Sequence, residues 1–434
     1  MIQMFRTTAL AATLFLAPLA GIANAQSASP DDTARVLAGL RPSAGSPLVG
    51  LTQGGAWQGH ADRFNAMFSN VESRQLKRIR GWSSAKLKDP SPVLFYMFSG
   101  PDFLYANAFF PNATTYVMAG LEPTGPIPDL TKMSRESLAS GMRGIEVSLR
   151  SLLAYSFFIT KEMRHELTAT RMSGTLPVLY VFLARSGKTV RDASLFRLDQ
   201  NGMPQPENTP GLSPNAARGA KIVFADPDGR EKTLYYFSTN IANDGFKASG
   251  FAKFVERLGT GDAFVKSASY LLHSGGFSDM RNFLLTHTKL LLQDDTGVPV
   301  SYFDQAKWQL RPFGRYAGPI SIFAQHYQPR MARLFSHSEA IDFGVGYNWR
   351  SSGLLAAVRT GAVASDAPVD VQPIASATGD VQIIKEAASD ATAPSAATDE
   401  AKPAPKKPRK QAQKRAHAPS HYAAPWFFWN GGYR

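Results

Sequence analysis

Three polar side chains that follow apolar runs are the first candidates for chemistry in this chain. Ser99 and Asp102 lie in a Ser-Gly-Pro-Asp elbow that ends the apolar run 93–98, and Glu122 comes directly after the run 115–121. Open α/β sheets bind their ligands at the carboxyl ends of strands. Two carboxylates at such an edge can act as acid and base if their surroundings push their pKa values apart. The structural alternative for Asp102 is a cap on the helix that follows it.

Histidine and aspartate side chains in the second half of the chain form another group of candidates. His273 and His287 flank a glycine-rich turn, and Asp294 and Asp295 follow them. Imidazole and carboxylate groups together can hold a transition metal. This spacing alone does not select a metal, so we predict none. An ordinary hydrogen-bonded histidine is the alternative, and we keep His273 as a candidate acid or base.

A loop near residue 311 supplies side chains of the type that bind ligands. It contains Arg311, Arg315 and Tyr316. Guanidinium groups bind carboxylates and phosphates through paired hydrogen bonds, so the loop fits an anionic or sugar-like ligand. Salt bridges to the protein's own acids are the alternative. Tyr105, which follows the first elbow, and Ser99 complete the predicted ligand-binding residues.

The sequence contains no complete catalytic signature. It has no cysteine, which excludes disulfides, thiolate zinc sites and a cysteine nucleophile. His165-Glu166 begins a zinc-protease motif, but Ala169 stands where the second histidine belongs. Ser83 and Lys86 have the spacing of a serine nucleophile and its base, yet the prolines that follow end the helix that this motif needs. No motif identifies a cofactor, which therefore stays unknown.

Apolar runs and turn residues predict the elements that position these groups. Runs 93–98, 115–121 and 177–184 have the length and composition of buried strands. An Asp-Pro-Asp-Gly turn between 219–225 and 231–238 predicts a hairpin. The remaining assignments are helices over 56–79, 103–110, 134–167, 251–258, 263–272, 277–292 and 320–335, strands over 191–198 and 341–349, and a small hairpin from 298–303 and 307–310.

This order of elements predicts an α/β (or α+β) fold. We expect a mixed β-sheet with hairpins, covered by helices, in a single large domain over residues 56–350. The hairpins argue against a purely parallel sheet. Residues 26–55 are rich in proline, glycine and serine, so we expect a loosely ordered N-terminal segment.

The N-terminus has the three regions of a signal peptide. Arg6 precedes an apolar run over 9–22, and the small residues Ala23-Asn24-Ala25 follow it. We predict a signal peptide over residues 1–25 with cleavage after Ala25, and therefore a periplasmic or secreted protein. No other apolar run is long enough for a transmembrane helix, so we expect none in the mature protein.

The C-terminal region has the composition of a disordered tail. Residues 361–401 form an acidic linker rich in Ala, Pro, Ser and Thr, and residues 402–434 are basic and end in aromatic residues. The formal net charge of the whole chain is +13. Anionic envelope polymers or lipid headgroups are the partners that such a tail would bind in an exported protein, and the export signal argues against nucleic acid. The alternative is a solvated tail with no dedicated partner.

Two functional hypotheses follow from these features. The first is an exported binding or cell-envelope-associated module with affinity for anionic partners. The alternative is an exported hydrolase that acts on an envelope or extracellular substrate. In the hydrolase, Asp102, Glu122 or His273 would exchange protons, and Arg311 or Arg315 would hold an anion. The sequence does not decide whether the protein is an enzyme.

Overall fold

The computed structural model of the chain describes residues 27–155, 172–349 and 353–361. The predicted signal peptide, the linker beyond residue 361 and the basic tail lie outside these ranges, as does the end of the long helix predicted over 134–167. Within these ranges, every helix is too short or too polar to cross a membrane.

The centre of the described chain is one mixed sheet of ten strands in the order β4-β3-β5-β6-β2-β1-β7-β8-β10-β9. Its five middle strands, β6, β2, β1, β7 and β8, are parallel to one another, and antiparallel strands extend both sides. The strands are β1 (Val93–Tyr96), β2 (Thr115–Gly120), β3 (Thr189–Leu198), β4 (Pro204–Pro206), β5 (Arg218–Ala225), β6 (Glu231–Ser238), β7 (Gly261–Val265), β8 (Thr288–Gln293), β9 (Trp308–Phe313) and β10 (Leu354–Arg359).

The path of the chain reverses direction across the sheet between β1 and β7. From β1 the chain adds β2 and later β6 on one side, and it then returns to place β7 and β8 on the other side. In open α/β sheets, ligands bind outside the carboxyl ends of the strands at such a switch in strand order. The carboxyl ends of β1 and β7 therefore mark the expected position of a site.

Helices cover both faces of the sheet. They are α1 (Pro30–Leu37), α2 (Gly55–Val71), α3 (Lys77–Lys86), α4 (Phe103–Phe109), α5 (Arg135–Tyr155), α6 (Leu176–Arg185), α7 (Asn243–Ala248), α8 (Phe251–Arg257), α9 (Ser278–His287) and α10 (Pro329–Leu334). Buried residues of α1 to α6 form one apolar core, and those of α7 to α9 form a second. Short 3-10 turns connect several of these elements, and residues 72–76 form a π-helical turn between α2 and α3.

The sheet lies between the two cores and contributes side chains to both, because successive side chains of a strand point to opposite faces. In β1, Leu94 and Tyr96 belong to the first core, whereas Phe95 belongs to the second. Strands buried on both faces are apolar along their whole length. This is why the run 93–98 is continuously apolar, and the predicted strand there is confirmed.

The predicted α/β class, with a mixed sheet covered by helices in a single domain, is confirmed. The hairpin of β5 and β6 forms where the Asp-Pro-Asp-Gly turn predicts it. The strands over 115–121 and 191–198 and the helices over 56–79, 103–110 and 251–258 are also present, with shifted ends.

The strand predicted over 177–184 is wrong, because this segment forms helix α6. Every residue from Leu176 to Ala184 is buried, so the apolar pattern carries no helical period that could separate a buried helix from a strand. Pro177 lies in the first helical turn, where proline is favoured because its missing N–H has no helical partner.

The helix predicted over 263–272 is wrong, and the one over 277–292 is too long. Residues 261–265 form β7, which is buried throughout, and residues 288–293 form β8 after α9 ends at His287. Both strands carry short apolar runs beside helices, where the pattern of hydrophobic residues does not mark the boundary.

The segments that flank the predicted domain also differ from expectation. Residues 30–37 form α1, with Pro30 in its first turn and a hydrogen bond of 3.0 Å from the Asp32 amide to the Ser29 hydroxyl. Its Val36 and Leu37 are fully buried, so the region expected to be loosely ordered contributes to the core.

At the other end, the strand expected over 341–349 is not formed, and β10 supplies the last strand. The segments 298–303 and 307–310 do not pair with each other. The first contains a 3-10 turn, and the second belongs to β9, which pairs with β10. The helix predicted over 320–335 is divided into a 3-10 turn and α10.

Strand β10 is expected to be indispensable, because it lies between β8 and β9. Two of its leucines, Leu354 and Leu355, are fully buried, and burial of two such side chains is worth about 3–6 kcal/mol. A chain ending at Trp349 should therefore show no cooperative urea unfolding, whereas a chain ending at Val369 should unfold as the full protein does. Equal unfolding midpoints for the two chains would contradict this assignment.

Candidate functional site

A buried ion pair joins the two strands at the switch in strand order. Asp102 is the N-cap residue of α4, in the loop that follows β1, and Lys266 is the first residue after β7. The ammonium nitrogen of Lys266 lies 2.9 Å from Oδ2 of Asp102, and the side chains are 2% and 1% exposed. Two buried charges are stable only when they are paired and hydrogen-bonded, so this contact constrains both strand ends.

Further groups complete the surroundings of Asp102. The hydroxyl of Tyr96 donates a hydrogen bond of 2.7 Å to Oδ2, and the amide of Tyr105 donates one of 3.2 Å to Oδ1. Burial raises the pKa of Asp102, and Lys266 opposes that change. The capping role weighed for Asp102 is therefore present. Tyr105 packs its ring 4.3 Å from the Lys266 ammonium.

Asp294, at the end of β8, ties the neighbouring loops together. Its Oδ2 accepts a hydrogen bond of 2.8 Å from the Ser267 amide, and its Oδ1 accepts bonds from the amide and hydroxyl of Thr296 at 2.9 and 2.5 Å. The side chain is fully buried, and burial raises its pKa. Asp294 thus fixes the loop that follows β7 against the loop that follows β8.

Asp295 is the more accessible carboxyl group of this edge. It is half-buried, and its Oδ2 accepts a hydrogen bond of 2.6 Å from the hydroxyl of Tyr270. Burial, together with the adjacent Asp294, raises the pKa of Asp295 to about 7. A group with this pKa is present in both protonation states near neutral pH, which is the property required of a general acid or base.

The loop after β7 has a strained backbone. Ser267, Ser269 and Tyr270 have φ angles of 55°, 50° and 55°, a left-handed conformation that residues other than glycine adopt rarely. The hydroxyl of Tyr347 donates a hydrogen bond to the Ser267 carbonyl at 3.0 Å and lies 2.9 Å from the Ser269 hydroxyl. Strain of this kind concentrates at functional sites, where the surrounding structure maintains it.

Two histidines pack around Tyr270. The rings of Tyr270 and His326 stack at 4.8 Å, and His273 meets each of them edge-on at 5.1 Å. Burial lowers the pKa of His273 to about 4, so it is neutral at pH 7. Across the described ranges, neither histidine hydrogen-bonds to a serine or a carboxylate, so they form no nucleophile–base pair.

Ser99 lies in the first elbow and Glu122 lies beside it, but both have internal partners. The hydroxyl of Tyr236 donates hydrogen bonds to the carbonyl and to Oε2 of Glu122 at 3.0 and 3.4 Å. A Cβ on Gly120 would lie 2.3 Å from Oε2 of Glu122 and 3.0 Å from Cα of Gly100, so Glu122 and the elbow adjoin. The Ser99 hydroxyl donates a hydrogen bond of 2.7 Å to the Gly100 carbonyl.

The predicted arginine–tyrosine loop does not form one site. Arg311 lies 3.6 Å from Glu339, as the salt-bridge alternative predicts. Arg315 lines a separate cleft.

The hydroxyl of Tyr316 accepts a hydrogen bond of 2.9 Å from the Gln328 amide, and the side chain of Gln328 donates one of 3.3 Å to the Asp295 carbonyl. Tyr316 therefore belongs to the edge near Asp295.

The structure thus brings together Asp102, Tyr105, His273 and Tyr316 along the edge formed by β1, β7 and β8. Sequence patterns missed Lys266 and Tyr270. The lysine follows the apolar residues 263–265 directly, a position that marks the end of a buried strand once the segment is recognised as β7. Its pairing with Asp102 depends on strand order, which the sequence pattern does not specify.

Comparisons of the chain with protein-family models, curated proteins and solved structures gave no match. The described ranges contain no group of three histidine, aspartate or glutamate side chains that could hold a metal ion.

Removal of Lys266 should strongly destabilise the protein. Lys266→Met leaves Asp102 buried without its cation, and loss of one partner of a buried pair costs about 3–5 kcal/mol. The double variant Asp102→Asn/Lys266→Met should lose less than the sum of the two single changes, because no unpaired charge remains and asparagine still caps α4. Urea unfolding of all four proteins measures this coupling, and strictly additive losses would contradict the pairing.

The raised pKa of Asp295 should make stability fall as pH increases. The folded state holds this proton up to about pH 7, whereas the unfolded chain releases it near the ordinary value of 3.8. The folded state therefore binds more protons over this range, and the free energy of unfolding decreases from about pH 4 to 7. Asp295→Asn removes this dependence and should be more stable than the wild type at pH 8.

Urea unfolding of both proteins at pH 5 and pH 8 tests this expectation. Asp62→Asn, a change on the exposed side of α2, is the matched control and should leave the pH dependence unchanged. An Asp295→Asn variant with the same pH dependence as the wild type would show that this carboxyl does not titrate as described.

Proposed function

We propose that the protein is an exported binding module that holds a small polar ligand at the carboxyl edge of β1, β7 and β8. The switch in strand order supports this location. Ser269, His273 and Asp295 are half-buried there, so they offer a hydroxyl, a neutral imidazole and a carboxyl group to a ligand that reaches the edge.

The observation that carries this proposal is the strained loop Ser267–Tyr270. Three left-handed residues in four positions cost about 1–3 kcal/mol each. Asp294 and Tyr347 hold the loop in that conformation. A conformation that needs such support is best explained by the placement of Ser269 for binding and of Tyr270 to orient the Asp295 carboxyl.

The internal hydrogen bonds favour binding over hydrolysis. Asp102, the first candidate for acid–base work, is 1% exposed and fully engaged with Lys266 and Tyr96. The Ser269 hydroxyl pairs with Tyr347 instead of a histidine. A hydrolase with a serine nucleophile needs a base within hydrogen-bond reach, and the described part of this edge does not provide one.

Hydrolysis of an envelope or extracellular substrate is the second candidate function, and the raised pKa of Asp295 favours it. The Tyr270 hydroxyl orients this carboxyl, and burial beside Asp294 raises its pKa to about 7. Such a carboxyl can donate a proton to a leaving group near neutral pH.

The export signal and the basic tail complete the proposal. Residues 1–25 would direct the chain to the periplasm or the exterior, and residues 402–434 would bring the domain to anionic envelope polymers or lipid headgroups. N-terminal sequencing of the exported protein tests the first part, with Gln26 as the expected first residue.

Thermal unfolding of the chain from Gln26 to Arg434 tests ligand binding. Monosaccharides, amino acids, dicarboxylates and inorganic phosphate serve as probes at pH 6 and 8. A compound that binds the native state stabilises it by about 2.7 kcal/mol at a hundredfold excess over its dissociation constant. The stabilisation should be lost in Ser269→Ala and Asp295→Asn and retained in Asp62→Asn. Stabilisation that survives both edge changes would place the ligand elsewhere.

Chromogenic esters, phosphates and glycosides distinguish the hydrolase from the binding module. Turnover that Asp295→Asn abolishes, with unchanged folding, would favour the hydrolase. Saturable binding without turnover favours the module.

A further inference from the structure

A cleft outside the carboxyl-edge site opens between the helical segment 55–86 and the loop 338–344. Its volume is about 590 Å³, which lies in the range of small-molecule sites in proteins. The side chains that matter for its chemistry are Arg74, Gln75, Arg78, Arg315, Asp342 and Trp349.

The charge of the cleft is positive. Arg74, Arg78 and Arg315 line it, and Asp342 is the acidic residue among its described lining. The Asp342 carboxylate is 71% exposed and lies 3.7 Å from Arg78. Arg315 is exposed and has no hydrogen-bond or ion-pair partner in the described ranges. The cleft thus has cationic groups beyond those that its own acid can neutralise.

Two buried polar atoms beside this cleft lack partners. Gln75 is 2% exposed, and its carbonyl oxygen has no hydrogen-bond partner. The Nε of Arg74 is also buried without a partner, although the same guanidinium donates a hydrogen bond of 2.8 Å to the Leu153 carbonyl. An unmade hydrogen bond of a buried group costs about 1–3 kcal/mol, and a ligand that supplied a donor to Gln75 and an anionic acceptor to Arg74 would recover that free energy.

The backbone that presents these residues is irregular. Residues 72–76 form one π-helical turn between α2 and α3, and Arg74 and Gln75 lie in it. Isolated π turns are rare and frequently occur at functional sites. The Arg74 guanidinium lies 4.7 Å from the ring of Trp349, which fixes the arginine beside an aromatic wall of the cleft.

We infer that this cleft binds a sugar that carries an anionic group. The arginines recognise a phosphate or carboxylate through paired hydrogen bonds. We expect the carbonyl of Gln75 to accept a hydrogen bond from a sugar hydroxyl and Trp349 to pack against the sugar ring. The inference stands apart from the proposed function, because these residues differ from those around Asp295.

Isothermal titration calorimetry of the chain from Gln26 to Arg434 tests the inference with four probes: glucose 6-phosphate, glucuronate, glucose and inorganic phosphate. We expect glucose 6-phosphate and glucuronate to bind, glucose not to bind, and inorganic phosphate to bind at least about tenfold more weakly than glucose 6-phosphate. Arg315→Ala should weaken binding of both anionic sugars by at least about tenfold, because a hydrogen bond to a charged group is lost.

Two further variants make the result decisive. Arg315 is exposed, so Arg315→Ala leaves the fold intact. Gln75→Leu tests the buried amide, and circular dichroism checks that this variant folds. Arg143→Ala, on the exposed side of α5, is the matched control and should bind as the wild type does. Absence of binding by both anionic sugars, or binding that Arg315→Ala leaves unchanged, would overturn the inference. Equal affinity for inorganic phosphate and glucose 6-phosphate would overturn its sugar component.

Discussion

The contact between Asp102 and Lys266 is the constraint on which the carboxyl edge depends. Both groups are charged residues in an apolar interior, and each belongs to a different side of the switch in strand order. The cost of removing two charges from water is offset only when their geometry and hydrogen bonds are good. Tyr96 and the Tyr105 amide supply those bonds. The pair therefore fixes how β1 and β7 end relative to one another.

The groups that a ligand can reach lie further out along the same edge. Lys266 is followed by the strained loop that contains Ser269 and Tyr270. Asp294 holds this loop by the Ser267 amide, and Tyr270 in turn holds Asp295. Each of these contacts is made inside the protein, which leaves a half-buried carboxyl group as the part that a ligand or a proton can reach. Ligand binding at this edge, as proposed, would therefore depend on pH near neutrality.

Local sequence patterns predicted those parts of the molecule that depend on local chemistry. The Asp-Pro-Asp-Gly hairpin and the cap at Asp102 are of this kind. Residues 177–184 could not be assigned from their pattern, because a segment buried on every side has no amphipathic period. Arg311, Arg315 and Tyr316 are close in sequence, yet the structure directs them to three different surroundings. Pairing of Lys266 with Asp102 requires the order of strands, which arises from tertiary packing.

At the switch in strand order, burial beside Asp294 raises the pKa of the Asp295 carboxyl to about 7. A carbon-13 NMR titration of the Asp295 carboxyl in the folded protein tests it most directly, with Asp295→Asn used to assign the resonance. We predict a midpoint at about pH 7. A midpoint near the ordinary aspartate value of 3.8 would contradict the account, because burial beside Asp294 would then leave the pKa of Asp295 unshifted.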